Sequence, residues 1–139
     1  MSASLLESIH HQHVRLLDKL AETSAVVRSV RDDGILDPVR WREVYRFIHE
    51  VALPHLNHEE AELFPVVVSM GLPAEALEFL KRDHENLRFL AKRAEASGLT
   101  AAADVLTIDT AEVVDRFVRA FDDHARREEE LFGALNTLH

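Results

Sequence analysis

The chain has 139 residues, the usual size of one domain, and we expect residues 1–139 to form a single domain. Because it contains 0 cysteines, disulfides, thiolate metal sites and iron–sulfur clusters are excluded, and a reducing cytoplasm is the expected location. A formal charge of -9, from 25 acidic residues against 16 lysines and arginines, disfavours nucleic acid and anionic membranes as partners.

Long helices are the secondary structure that the composition favours. Only 4 glycines and 4 prolines are available for turns, which is few for a protein built from many short strands. No apolar run approaches the roughly 20 residues that a membrane-spanning helix needs, and the N-terminus lacks the pattern of a secretory signal. The sequence therefore predicts an all-α protein with no membrane partner.

The first helix is expected to begin near Ser4, because Ser4 and Glu7 have the spacing of a capping box and an apolar period of about 3.6 residues follows. It should continue to about Val30. After a short turn, Asp37 and Pro38 provide an N-cap and a first helical residue for the second helix.

The second helix should extend to about Met70, where Gly71 ends it. Pro54 lies inside this helix and lacks the N–H that a helical hydrogen bond requires. We therefore expect a kink or an opened turn just ahead of His55. Pro73 then begins the third helix.

The third helix is expected to end at Gly98. Two starts remain open for the fourth: Thr100 could cap a short helix, whereas Asp109 and Glu112 form a better capping pair for a run over residues 111–131. Short connections between four helices favour antiparallel neighbours. The predicted fold is therefore an up-down-up-down four-helix bundle.

Each predicted helix carries one histidine in line with its apolar stripe, and these are His13, His55, His84 and His124. On the second and fourth helices a glutamate follows four residues later, which places Glu59 and Glu128 on the same inward face. The positions of these histidines along the bundle axis also agree between helices. At about 1.5 Å per residue, His13 lies roughly 27 Å before the end of its helix and His55 roughly 25 Å after the start of its own.

Three further residues lie close to the inward faces. His10 flanks the stripe of the first helix, His58 lies about 60° from the inward direction, and Glu62 continues the inward face of the second helix. His11 and His49 point away from these faces, so we expect them to be surface residues.

A metal site explains this convergence better than ordinary packing does. A single inward histidine is more often a hydrogen-bonded core residue than a ligand. Ionised carboxylates, however, are almost never buried unless they are paired or bind a cation, and Glu59 and Glu128 both accompany inward histidines. Imidazole and carboxylate groups suit iron, manganese or zinc, so we expect a metal site in the core.

The same residues carry a resemblance to a known family. Read along the chain, they form one histidine on the first helix, HxxxE on the second, one histidine on the third and HxxxE on the fourth. The stretches concerned are residues 12–17, 55–60 leading into 63–65, 83–87 and 124–129. The pattern resembles the hemerythrin-like (HHE cation-binding) family in its bacterial form and spans essentially the whole chain.

The resemblance implies a four-helix bundle with a di-metal site in its core. The site would be a non-haem centre of two iron ions, bridged by oxygen and by two carboxylates. The implied metal ligands are His13, His55, Glu59, His84, His124 and Glu128, with His10, His58 and Glu62 as possible additions. The centre itself would be the catalytic group, with no separate catalytic residue, and its ligand would be oxygen, hydrogen peroxide or nitric oxide.

Two departures separate the chain from the oxygen-carrying members that it resembles. Those members have HxxxH on the third helix, whereas Leu80 and Arg88 stand four residues before and after His84. Their fourth helix has an aspartate five residues after its histidine, whereas here Glu128 follows at four and Glu129 at five. Reversible oxygen carriage is therefore not assumed.

One imidazole is missing relative to those carriers, and the sequence leaves open whether His10 or His58 replaces it. Ferritin-like di-iron proteins are the structural rival, since they are also four-helix bundles with carboxylate-bound iron. Their Glu-x-x-His order appears only at residues 7–10, near one end of the chain. The hemerythrin-like interpretation is therefore preferred.

The leading functional hypothesis is a di-iron oxidoreductase of the peroxidase or catalase type, acting on hydrogen peroxide or nitric oxide. The alternative is a protein that binds or senses oxygen or nitric oxide, or a minor iron store. No signalling domain accompanies the bundle, so we expect a free-standing enzyme rather than a sensor. A metal-free interaction module would leave two glutamates buried without compensation.

Overall fold

The protein is described by a computed structural model that covers residues 2–34, 37–100 and 107–138. Four helices account for most of these residues: α1 is Ser2–Asp33, α2 is residues 38–69, α3 is Ala74–Ala96 and α4 is Ile108–Leu138. No strand occurs in the three described ranges. The prediction of an all-α protein with four helices is confirmed.

Neighbouring helices run antiparallel, because contacts between them pair low residue numbers with high ones. Along α1 and α4, His13 contacts Glu129 at one end, and Arg31 lies 3.5 Å from Asp115 at the other. The same reversal relates α2 to α3 and α3 to α4. The helices therefore form the predicted up-down-up-down bundle.

The ends of α2 follow the predicted signals. The Asp37 side chain accepts hydrogen bonds from the backbone N–H groups of Val39, at 3.0 Å, and Arg40, at 3.5 Å, and Pro38 is the first helical residue. The helix ends before Gly71, whose φ of +102° is a left-handed conformation that glycine adopts without strain.

Within α2, two wide π-turns separate three α-helical segments. The π-turns are Phe47–Ala52 and Glu59–Leu63, and each ends two residues before a proline, Pro54 or Pro65. Proline has no N–H to donate and its ring crowds the carbonyl four residues earlier, so the turn ahead of it widens. The opened turn ahead of His55 was expected. The second turn was not, although Pro65 gives the same signal.

Helices α1 and α4 are longer than predicted. Helix α1 begins two residues before Ser4, a difference that fraying of helix ends explains. Helix α4 begins at Ile108, and its cap is Thr107 rather than Asp109, because the Thr107 hydroxyl accepts the N–H of Thr110 at 3.3 Å. The short helix considered after Thr100 falls on residues 101–106, outside the described ranges.

The core consists of two apolar clusters with a polar layer between them. One cluster is centred on Trp41, Phe117 and Phe121, and the other on Leu63 and Phe132. On every helix the polar layer lies where one cluster ends and the other begins. Among the described helices, none combines the length and apolarity needed to cross a bilayer.

The cap of α2 gives a prediction about stability. Replacing Asp37 by Ala removes the acceptor for two backbone N–H groups, so the free energy of unfolding should fall by about 1 kcal/mol. Asp37→Asn keeps an acceptor and should retain most of the stability. Urea unfolding of the metal-free protein measures both, and equal loss in the two variants would contradict the capping role.

Candidate metal centre

The polar layer of the bundle contains the six side chains that the sequence indicated as ligands. None of them exposes more than 7% of its surface, and they are His13, His55, Glu59, His84, His124 and Glu128. They come from all four helices at one height. Helices α1 and α3 supply one histidine each, whereas α2 and α4 supply a histidine and a glutamate each.

These side chains form two overlapping groups, and in each group the possible ligand atoms all lie within 4.8 Å of one another. The first group consists of His13, His55, Glu59 and Glu128, and the second of His84, His124, Glu59 and Glu128. The two glutamates belong to both groups. The arrangement therefore offers two metal positions, each with two imidazoles of its own and both shared carboxylates.

The spacing within each group matches that of ligands around one ion. In the first group, Nε2 of His13 lies 3.2 Å from Oε1 of Glu128 and 3.4 Å from Oε2 of Glu59. In the second, imidazole nitrogens lie between 3.1 and 3.6 Å from the carboxylate oxygens. Ligands bonded at roughly 2.0–2.2 Å to a metal ion are separated by about 3–3.5 Å when they are adjacent.

Several of these atoms have no hydrogen-bond partner, although they are buried. They are Nε2 of His13 and of His55, Oε2 of Glu59, and both carboxylate oxygens of Glu128. Burying such atoms unpaired costs several kcal/mol in total, on the order of 1–3 kcal/mol for each group. A cation held between them would satisfy all of them at once, so the residues present fit a metal site.

The other ring nitrogen of each histidine is held by an acceptor from a neighbouring helix. The Nδ1 atoms of His13, His55, His84 and His124 lie 2.7, 3.0, 2.9 and 2.9 Å from side-chain oxygens of Glu129, Gln12, Glu60 and Asp83, respectively. With the proton on Nδ1 donated outward, the lone pair of Nε2 points to the centre. This is the usual arrangement of metal-binding histidines.

These four outer acceptors were not predicted from the sequence. Each is the immediate neighbour in sequence of an inward ligand: Gln12 precedes His13, Glu60 follows Glu59, Asp83 precedes His84 and Glu129 follows Glu128. A polar acceptor beside one inward residue of each helix was therefore a usable signal.

The remaining candidates lie outside both groups. His10 is exposed and its Nδ1 lies 2.9 Å from Glu129, so it contacts an outer acceptor and not the centre. His58 is half-buried on the wall of a surface groove. Glu62 is exposed, because the π-turn that begins at Glu59 brings Leu63 to the inward position instead.

The predicted surface histidines do not reach the centre. His11 is exposed, whereas His49 is half-buried and not the surface residue that was expected. The ring of His49 is tilted by 37° against that of Tyr45, with centroids 4.4 Å apart, and its Nε2 lies 3.1 Å from Glu95. Neither His10 nor His58 belongs to either ligand group, so neither replaces the missing imidazole in this arrangement.

Without a metal ion, His13 and His124 hold a proton at neutral pH. Burial disfavours the charged form of His13, but the contacts with Glu128 and Glu59 outweigh it and raise the pKa of His13 to about 10. Burial likewise opposes charging of His124, yet Asp83 and the two core glutamates raise its pKa to about 11. Burial and the neighbouring charge of Glu59 raise the pKa of Glu128 above its ordinary value.

Comparison with protein families identifies the family of this chain. A family model described as the hemerythrin HHE cation binding domain matches residues 4–135, which is nearly the whole chain. Comparisons with curated proteins and with solved structures found no match.

Removing single ligands should separate the six core residues from other histidines. Alanine at His55, Glu59, His84, His124 or Glu128 should lower metal content per chain, because each change leaves a metal position one donor short. We expect His13→Ala to behave in the same way. His11→Ala and His49→Ala are the matched controls and should retain metal in elemental analysis. Equal metal content in both sets would contradict the assignment.

Metal uptake should release protons. At pH 7.5 the raised pKa values keep His13 and His124 protonated in the metal-free protein, so binding at both positions should displace about two protons per chain. The same competition should make the affinity rise as the pH increases towards 10. Calorimetric zinc titrations in buffers of different protonation enthalpy measure the number, and uptake without proton release would contradict it.

Proposed function

Because the chain belongs to the hemerythrin family of HHE cation-binding domains, we propose that it is a non-haem di-iron oxidoreductase. The cation-binding role follows from the family. Iron as the metal, the presence of two ions and an oxygen bridge between them are our proposal, as are hydrogen peroxide and nitric oxide as substrates. A cysteine-free chain suits a reducing compartment, so the cytoplasm is the location we propose.

One observation carries the two-ion proposal: both buried carboxylates belong to both ligand groups. A single ion would use one group and leave two imidazoles of the other without a role. Four imidazoles with two shared carboxylates suit first-row metals in general, and the carboxylates are hard anionic donors that suit iron in its oxidised state. Two iron ions held by these residues would supply redox chemistry on small oxygen or nitrogen ligands.

The surrounding residues favour a charged, oxidised centre. Glu129, Glu60 and Asp83 accept hydrogen bonds from three of the four histidines, which increases the electron donation of those imidazoles. Together with Glu59 and Glu128, they place five carboxylates in two layers around the four imidazoles. Arg88 and Arg127 offset the charges of Glu60 and Asp83, and the three remaining carboxylates would stabilise positive charge on bound metals and oppose return to the reduced state that oxygen carriage requires.

The third helix also argues against an oxygen carrier. Such carriers have HxxxH on this helix, with one further histidine, whereas the residues four before and four after His84 are Leu80 and Arg88 in this chain. Leu80 is fully buried in the apolar cluster below the site. Arg88 forms a close ion pair with Glu60, the outer acceptor of His84. Both positions therefore have other roles, and α3 provides one imidazole.

The apolar clusters on either side restrict the site to small ligands. The ring of Phe64 stacks on His84 with centroids 5.2 Å apart, and Phe121 lies 6.3 Å from His55. A groove of about 700 Å³ between α1 and α2 includes Gln12 and His55 in its wall. Peroxide and nitric oxide are small enough to enter from this side, whereas a large substrate could not reach the buried nitrogens.

The proposal predicts turnover of peroxide by the oxidised protein. Purified from iron-replete cells, the protein should contain two iron ions per chain and show charge-transfer absorption in the near ultraviolet. Added hydrogen peroxide should be consumed with release of oxygen, or with loss of nitric oxide when nitric oxide is also supplied. Gas electrodes and the optical spectrum record both.

Glu128→Ala removes a shared ligand and should abolish turnover. His11→Ala is the matched control and should leave turnover unchanged. If the oxidised protein turns nothing over and the reduced protein binds oxygen reversibly, the enzyme proposal is wrong and a binding or sensing protein takes its place. Iron that accumulates far beyond two ions per chain would instead indicate a store.

A further inference from the structure

The outer hydrogen bonds of the four histidines form a closed ring around the bundle. Each helix provides the acceptor for the histidine of the next helix: Gln12 of α1 for His55 of α2, Glu60 of α2 for His84 of α3, Asp83 of α3 for His124 of α4, and Glu129 of α4 for His13 of α1. The inner ligands of the two groups are alike in kind and number, two imidazoles each with both shared carboxylates. The outer acceptors of the ring are not alike.

On the side of α3 and α4, both acceptors are anchored carboxylates. Glu60 forms a close ion pair with Arg88, and Asp83 forms one with Arg127. The Arg127 guanidinium is itself held over the ring of Phe79, 4.5 Å from its centroid. The orientations of His84 and His124 are therefore fixed by two charged pairs.

On the side of α1 and α2, the outer acceptors hold the histidines less firmly. His55 faces the neutral amide oxygen of Gln12 at 3.0 Å. Glu129, the acceptor of His13 at 2.7 Å, is shared with the exposed His10 at 2.9 Å. No arginine pairs with Gln12 or Glu129 among the described residues. Gln12 and His55 also form part of the wall of the groove between α1 and α2.

A carboxylate acceptor strengthens a metal-bound imidazole more than an amide does. It stabilises positive charge on the ring, raises the donor strength of the inner nitrogen and holds the ring in place. Loss of such an outer partner typically lowers metal affinity about 10-fold to 100-fold. The two metal positions should therefore differ in affinity although their inner ligands are alike.

We propose that the two positions fill in order, the His84–His124 position first and the His13–His55 position second. Gln12 is the positioning residue that keeps the second position weaker and exchangeable on the side of the groove. The inference rests on the proposed two-metal centre but not on iron or on any reaction.

The test is a titration of the metal-free protein with Zn²⁺, which has no redox chemistry. With histidines labelled by ¹⁵N, the Nε2 resonances of His84 and His124 should change during the first equivalent, and those of His13 and His55 during the second. Simultaneous change at all four, or the reverse order, would overturn the proposed order. If no zinc is bound at any of them, the two-metal centre itself is wrong.

Gln12→Glu tests the role of the amide, since it changes the acceptor with little change of shape. The second zinc affinity should rise about 10-fold, and the two titration steps should move together. Ser8→Glu adds the same charge at an exposed position of α1 and should leave both steps unchanged. Glu60→Gln should weaken the first step about 10-fold. An unchanged second affinity in Gln12→Glu, or an equal rise in Ser8→Glu, would contradict the positioning role of Gln12.

Discussion

Burial of two carboxylates in an apolar bundle is the constraint on which the rest of this structure depends. Glu59 and Glu128 are fully buried, and their oxygens lie near four imidazole nitrogens with few true hydrogen bonds among them. Isolated buried charges would prevent folding or become neutral. The four histidines lie at one level of the bundle and face the two carboxylates. Protons or metal ions held by these histidines compensate the negative charge, and the outer acceptors keep the imidazoles in place.

The fold meets this constraint by placing the polar layer between two apolar clusters. On each helix, packed apolar residues lie on both sides of the histidine, so water is kept from the layer and the side chains cannot turn away. The second π-turn of α2 also helps to separate the polar layer from the apolar cluster that follows it. The turn at Glu59–Leu63 carries Glu59 into the layer and lets Leu63 begin the lower cluster at once, without a second inward carboxylate.

Chemical function in this bundle depends on what surrounds the inner ligands as much as on the ligands. Arg88 lies four residues after His84, at one of the two positions that an HxxxH motif on α3 would use, and through Glu60 it orients the imidazole of His84. This arginine provides no imidazole donor, but it adds charged support for His84. The centre that we propose, oxidised and with unequal positions, would suit a protein that turns over small ligands better than one that binds them reversibly.

The sequence alone determined the helices, their order and the six inner residues, because helical periodicity and rise per residue fix which side chains share a face and a height. Asp37 and Gly71 likewise mark helix ends through local hydrogen bonds and local backbone conformation. Tertiary structure decided the rest. Glu62 lies outside because the π-turn changes the angular spacing along α2, and the partners of the Nδ1 atoms lie on other helices, whose rotation no local pattern encodes. That rotation sets Gln12 against His55 and makes the two halves of the site unequal.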